Sequence, residues 1–246
     1  VVWARRVGQP DARVAVVSVH LKGGPPGQWS VGHAEREYLL RQVVKSLRRY
    51  PAPVVLGGDF NIRPGEWQQR LHTLLKEETG LRRLQTPPQL PTGLMPDFQY
   101  DRAHVIDYVY VGDRLQVRGE ARVGPLSGDG PAYDGRGPYG AAPADGSDHR
   151  WIQFDMALAL PSTGRPAAGA TAQTLTVLQW NVLARLWTEW NGAAHGMPEH
   201  ESPAQTRQRH KAILEAIKRE KPDIVALQEV DTAFLPPDWD STQALP

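Results

Sequence analysis

Val54-Val55-Leu56-Gly57-Gly58-Asp59-Phe60-Asn61 is the stretch from which the rest of the chain can be read. Its apolar, β-branched start predicts a buried strand. That strand runs straight into two glycines, a carboxylate and an amide. Taken alone, Gly-Asp-Phe-Asn is as good a turn as a site, because Gly, Asp and Asn are all turn residues. The neighbouring strands decide between the two readings.

Upstream, residues 14–19 form a second apolar run that ends at His20. Downstream, residues 105–111 read as a strand holding Ile106-Asp107-Tyr108, and Ser147-Asp148-His149 precedes a strand over 151–158. Residues 175–179 lead into Trp180-Asn181, and residues 224–227 lead into Gln228-Glu229. Helices are predicted between them. One covers 33–49, with Tyr38, Leu39, Val43 and Leu47 at helical spacing and Pro51 as its stop. Another starts at Pro64, carries Trp67, Leu71, Leu74 and Leu75, and closes at Gly80. A third, basic and amphipathic, covers 204–220 with Ala212, Ile213, Ala216 and Ile217 on one side. Alternating strands and helices imply an α/β or α+β layered core. Residues 119–146, rich in Gly, Pro, Ala and Asp, read as one long surface loop that either gates a site or is disordered. Residues 161–173 read as a linker.

Composition narrows the function classes. The chain has 246 residues, enough for one large domain or two small ones, and its 23 Gly and 22 Pro predict many loops. A net charge of +1 does not imply long duplex binding, which leans on a clear basic excess. A short strand, a nucleotide or a phosphorylated small molecule stays open. There is no Cys, which removes disulfides, thiolate metal sites and thiol nucleophiles. No apolar run approaches the roughly 18–20 residues of a membrane span. The start, Val1-Val2-Trp3, is neither a signal peptide nor an initiator Met, so a processed, trimmed or engineered chain is expected. These features mildly favour an intracellular setting.

The candidate site is the set of polar groups at strand ends: His20, Asp59 with Asn61, Asp148 with His149, Asn181 and Glu229. Strand ends are where loops converge over a rigid base. Hard oxygen donors suit Mg²⁺ or Mn²⁺, and the imidazoles can serve a phosphoryl group as donors or bases. Each residue has a plain reading as a turn, cap or rim residue; the coincidence at successive strand ends speaks against it for the group. Asp107 lies inside an apolar strand, where a buried carboxylate needs a partner, and a histidine is the obvious one.

His20-Leu21-Lys22, Gly58-Asp59-Phe60-Asn61, Ile106-Asp107-Tyr108, Ser147-Asp148-His149, Gln179-Trp180-Asn181 and Leu227-Gln228-Glu229-Val230 resemble the motif set of the endonuclease/exonuclease/phosphatase superfamily. The runs 177–184 and 222–231 look most like its deadenylase branch, the enzymes of nocturnin and Angel type. The resemblance implies a four-layer α/β (α+β) sandwich of deoxyribonuclease I-like fold. It also implies Mg²⁺ (or Mn²⁺) held chiefly by Glu229 with Asn181, Asp59 and Asp148. Asp59 would orient or deprotonate the attacking water, and Asn61 would contact phosphoryl oxygens. Asp148 would complete the site beside His149. His149 would bind the scissile phosphate or a second metal, oriented by Asp107, and His20 would stabilise developing charge. Lys22 and Asn181 are the implied substrate contacts; Arg102, near the place where the deadenylases carry a Phe, departs from the family and is a candidate phosphate contact instead. The implied substrate is single-stranded RNA or a nucleotide-like phosphorylated molecule.

The motif order departs from the family, where the Asn181 and Glu229 motifs precede the others. A circularly permuted fold is therefore expected. Residues 1–160 would be the C-terminal-type portion and residues 174–246 the N-terminal-type portion of one domain. The family's strands between the Glu229 and His20 motifs have only residues 231–246 and 1–13 to replace them, so a partner chain supplying them is a further expectation. Trp3 and Arg5-Arg6 read as surface residues there. Two rival readings stay open: another nuclease or lipid phosphodiesterase of the superfamily, and a non-catalytic split or scaffold domain.

Overall fold

The computed structural model describes residues 2–6, 9–21, 32–49, 53–62, 65–84, 105–124, 149–158, 174–182 and 202–231. In chain order the elements are β1 (Val2–Arg6), β2 (Gln9–His20), α1 (His33–Leu47), β3 (Val54–Asp59), α2 (Glu66–Thr79), β4 (Arg82–Arg83), β5 (Asp107–Val111), β6 (Leu115–Val123), β7 (Ile152–Leu158), β8 (Thr174–Asn181), α3 (Pro203–Glu220) and β9 (Ile224–Gln228). They form two sheets, ordered β1-β2-β3-β5-β4 and β6-β7-β8-β9.

The sequence pattern explains the layers. Strands β3 and β5 are buried on both faces, so their residues alternate between two apolar clusters. Leu56, Tyr108 and Tyr110 point outward into a cluster with Leu40, Val44, Leu71 and Leu75 from α1 and α2. Val55, Val109 and Val111 point inward against Ile152, Phe154, Met156 and Val177 of the second sheet. On the far face of that sheet, Trp151, Leu178 and Trp180 pack against Ile213 and Ala216 of α3. The order is thus helix, sheet, sheet, helix, the expected four-layer α/β sandwich. Burying each large apolar side chain in such a core contributes roughly 1.5–3 kcal/mol.

Each sheet contains one parallel pair, and these pairs position the site. β2 runs parallel to β3 with His20 opposite Asp59. β8 runs parallel to β9 with Asn181 opposite Gln228. β5 lies antiparallel to β3, setting Asp107 opposite Asp59. The C-terminal ends of both parallel pairs meet across the sandwich.

Two expectations need correction. The buried side of α1 is Arg36, Leu40, Val44 and Leu47, whereas Tyr38 is 62% exposed and Leu39 36%. The helical period admits both phases, and a buried arginine at the head of the true stripe disguises it. Residues 119–123 belong to β6 rather than to a loop. That strand is polar on one side and carries Gly119 at φ 71°, where the register with β7 shifts. Residues 125–146 of the expected loop lie outside the described residues, as does the linker 161–173. Residues 2–6 form β1, paired antiparallel with β2 at the edge of the first sheet. The α2 ending agrees with the reading: Gly80 takes φ 71° and its N–H donates to the Lys76 carbonyl. Among the described residues, no helix is long and apolar enough to cross a membrane.

Gly58 is fixed by close approach. Its φ is 149°, and a Cβ there would lie 1.8 Å from the Val19 carbonyl oxygen on β2. Only backbone fits between the ends of β2 and β3. Gly58→Ala should therefore destabilise the fold by about 3 kcal/mol or more, read as a lowered urea midpoint at unchanged m-value.

Candidate active site

The strand ends turn sharply to aim their side chains. After β3, Asn61 adopts φ 50°, and after β9, Glu229 adopts φ 57°. Such left-handed conformations cost a non-glycine residue about 1 kcal/mol each, less for asparagine. The Asn61 turn is closed by its own neighbour: the Asn61 backbone N–H donates to Asp59 Oδ1 at 2.8 Å. The Asn61 side-chain amide donates to the Leu21 carbonyl at 2.7 Å and to Asp59 Oδ2 at 3.1 Å. Both amide protons are thus used, and the buried Asn61 Oδ1 has no hydrogen-bond partner.

Asp59 is the centre. Its side chain is 2% exposed. Oδ2 lies 3.6 Å from His20 Nε2, 3.8 Å from His149 Nε2 and 3.3 Å from Asn181 Nδ2. Asn181 also donates to Glu229 Oε1 at 2.9 Å, so one amide spans the two carboxylates across the two sheets. Glu229 Oε1 in turn lies 3.3 Å from His20 Nε2. Behind them, His149 Nδ1 lies 2.9 Å from Asp107 Oδ2, the partner predicted for that buried carboxylate. Neutral His149 then carries its proton on Nδ1, donates it to Asp107 and leaves Nε2 facing Asp59. Trp180 Nε1 donates to the His149 backbone carbonyl at 2.8 Å and holds that residue from the second sheet.

The electrostatics follow from burial. Loss of hydration pushes the Asp59 carboxyl up to about 8; His149 and the Asn61 N–H oppose this, while the charges of Asp107 and Glu229 reinforce it. Burial also lowers the His20 pKa below its ordinary value, with His149 adding to the effect and Glu229 and Asp107 opposing it.

The structure brings together His20, Asp59, Asn61, Asp107, His149, Asn181 and Glu229. Asp148, Lys22 and Arg102 lie outside the described residues. One charged residue near the site was missed. Arg36 on α1 is 1% exposed; burial lowers its pKa, and the Asp59 carboxylate and Glu35 counter that. Its signal was available, since Arg36 lies four residues before Leu40 and eight before Val44.

His20, Asp59 and Glu229 each offer a ligand atom within 4.8 Å of the others. Two carboxylates and the unpartnered Asn61 carbonyl are hard oxygen donors. These residues fit a divalent cation of the Mg²⁺ or Mn²⁺ kind, on Asp59 and Glu229 chiefly. Asn181 presents its N–H side to the carboxylates, so ligation through its carbonyl requires the amide to turn over.

The Asp59 carboxyl titrates near 8 in the fold, against about 4 in the unfolded chain. Between those values the folded state holds a proton that the unfolded state has lost, so stability falls as pH rises. From pH 6.5 to 8 in EDTA, the urea-derived stability should fall, by at most about 1.4 kcal/mol per pH unit. Asp59→Asn should flatten that slope, and Mg²⁺ should restore the wild-type loss at pH 8. A flat wild-type profile would contradict the assignment.

A profile of the Endonuclease/Exonuclease/phosphatase family matches residues 2–149 and 178–245. No curated protein matches the chain in sequence. Among solved structures, that of the human nocturnin catalytic domain with bound sulfate anion is 22% identical with a TM-score of 0.32. The match covers 43% of this chain and 38% of that one, and a likeness of that extent supports no further argument. The family match stands on its own extent. Its first stretch holds His20, Asp59, Asn61, Asp107 and His149, its second holds Asn181 and Glu229, and together they span well over half the chain. The chain belongs to the Endonuclease/Exonuclease/phosphatase family.

Proposed function

We propose that this chain is a divalent-cation-dependent phosphoester hydrolase acting on the 3′ end of single-stranded RNA, in the manner of a deadenylase, or on a nucleotide-like phosphate. The observation that carries the reading is the Asn181 amide spanning Asp59 and Glu229, with His20 and His149 on either side.

Phosphoester hydrolysis needs a water aligned with phosphorus, a base for its proton, and positive or donor groups around the phosphoryl oxygens. Asp59, 3.3 to 3.8 Å from Asn181, His20 and His149 at the centre of the site, serves as the base. Asn61 fixes both Asp59 oxygens by its backbone and side-chain N–H groups. His149, kept in one tautomer by Asp107, faces the same carboxylate and donates to a phosphoryl oxygen when protonated. His20 lies at the open side, its side chain 30% exposed, where a phosphate enters. A cation held by Glu229 and Asp59 would neutralise charge on the phosphoryl oxygens. Asp148 is proposed to complete the set, and Lys22 and Arg102 to contact the substrate.

We read the two portions, residues 1–160 and 174–246, as one domain in permuted order. β7 and β8, which flank the linker, are antiparallel neighbours with Ala157 opposite Thr174, so a short connection suffices to join them.

The test is hydrolysis of a 5′-labelled RNA with an oligo(A) tail and of a panel of nucleotide and lipid phosphates, in Mg²⁺ and in EDTA. Wild-type turnover should vanish in EDTA, and Glu229→Ala should lower it by at least about 100-fold. Preference for a lipid phosphodiester or for internal cleavage would replace the deadenylase reading. No turnover by folded protein would favour a scaffold role. A chain rebuilt with residues 174–246 ahead of residues 1–160 should retain the activity; failure to fold would count against the permutation.

A further inference from the structure

Gln179 and Gln228 belong to the motifs that end in Asn181 and Glu229, yet neither has a part in the chemistry above. Both are buried. Gln179 Nε2 donates to Gln228 Oε1 at 2.8 Å, and Gln228 Nε2 donates to Ser18 Oγ at 2.6 Å. Ser18 Oγ donates onward to the Leu227 carbonyl at 3.2 Å. Ser18 is on the first sheet and the two glutamines are on the second, so this chain of hydrogen bonds crosses the sandwich.

Its location in the ladders is specific. Ser18 pairs with Gly57 on β3, two residues before His20 pairs with Asp59. Gln179 is two residues before Asn181 on β8, and Gln228 immediately precedes Glu229. At about 3.3 Å per residue, Ser18 and Gln179 lie roughly 7 Å beneath His20 and Asn181, while Gln228 is level with Asn181 on the neighbouring strand. Gly57 leaves the space it occupies: a Cβ there would lie 3.2 Å from Gln179 Cγ.

The site requires this kind of part. Glu229 comes from one sheet, Asp59 and His20 from the other, and they must meet at 3.3 to 3.6 Å. Between the sheets lies apolar packing, which is non-directional and tolerates sliding. Hydrogen bonds of fixed length and direction do not tolerate it.

Resting on the proposed cation-dependent reading, we propose that the Ser18–Gln228–Gln179 hydrogen-bond chain positions Glu229 against Asp59 and His20. It sets the gap in which the cation and phosphoryl group are held. These three are positioning residues: they touch neither reactant.

The experiment compares wild type, Ser18→Ala, Ser18→Thr and Gln228→Leu. Mn²⁺ affinity is measured by electron paramagnetic resonance, kcat and KM are measured on whichever substrate wild type turns over, and folding is checked by urea midpoint. Ser18→Ala and Gln228→Leu should weaken Mn²⁺ binding about 10-fold or more. They should lower kcat with little change in KM, and a variant combining Ser18→Ala with Gln228→Leu should be no worse than the poorer single one. Ser18→Thr, which keeps the hydroxyl, should restore affinity and kcat. If folded Ser18→Ala binds Mn²⁺ within twofold of wild type, or Ser18→Thr is as impaired as Ser18→Ala, the positioning proposal is overturned. Should Gln228→Leu not fold, the small changes at Ser18 still decide it. Wild type that binds no Mn²⁺ would sink the cation-dependent reading beneath, and this proposal with it.

Discussion

The Asp59 carboxylate, buried where two sheets converge, is the constraint on which the rest of the structure depends. A carboxylate removed from water is costly unless paired or coordinated. Around it the chain gathers the Asn61 backbone and side-chain amides, the Asn181 amide and the rings of His20 and His149. Several of these side chains are themselves held by a neighbour: His149 by Asp107 and Trp180, Asn61 by the Leu21 carbonyl. The left-handed turns at Asn61 and Glu229 belong to the same arrangement, since they fold the strand ends back over the site.

The layered fold allows this because each sheet contains one parallel pair, and the C-terminal ends of the two pairs meet at the site. β2–β3 delivers His20 and Asp59 in register, and β8–β9 delivers Asn181 beside the Glu229 turn. The apolar clusters supply the stability that offsets a buried charged centre. Directional contacts such as those of Ser18 and Gln228 then fix what packing alone leaves loose.

Much of this was legible in the sequence because it lies where an apolar run stops abruptly at a polar residue. That signal located the ends of β2, β3, β8 and β9, and with them His20, Asp59, Asn181 and Glu229. Asp107 was legible for a different reason: a carboxylate within an apolar strand demands a partner, and His149 meets it. Other features gave no such contrast. Arg36 reads as a surface charge until the phase of α1 is known, and misplacing that phase put Tyr38 and Leu39 inside. β6, with polar residues and Gly119 at a register shift, lacks strict alternation. The hydrogen bonds of Gln179 and Gln228 depend on how two sheets face each other, which no local pattern encodes.

The central claim is that strand ends from both sheets build one centre for a hard divalent cation. A crystal structure of the chain soaked in Mn²⁺, with its anomalous signal, tests this most directly. The account predicts a strong peak about 2.2 Å from carboxylate oxygens of both Asp59 and Glu229. A clean map with no peak between those carboxylates, or with the ion bound only elsewhere, would contradict it.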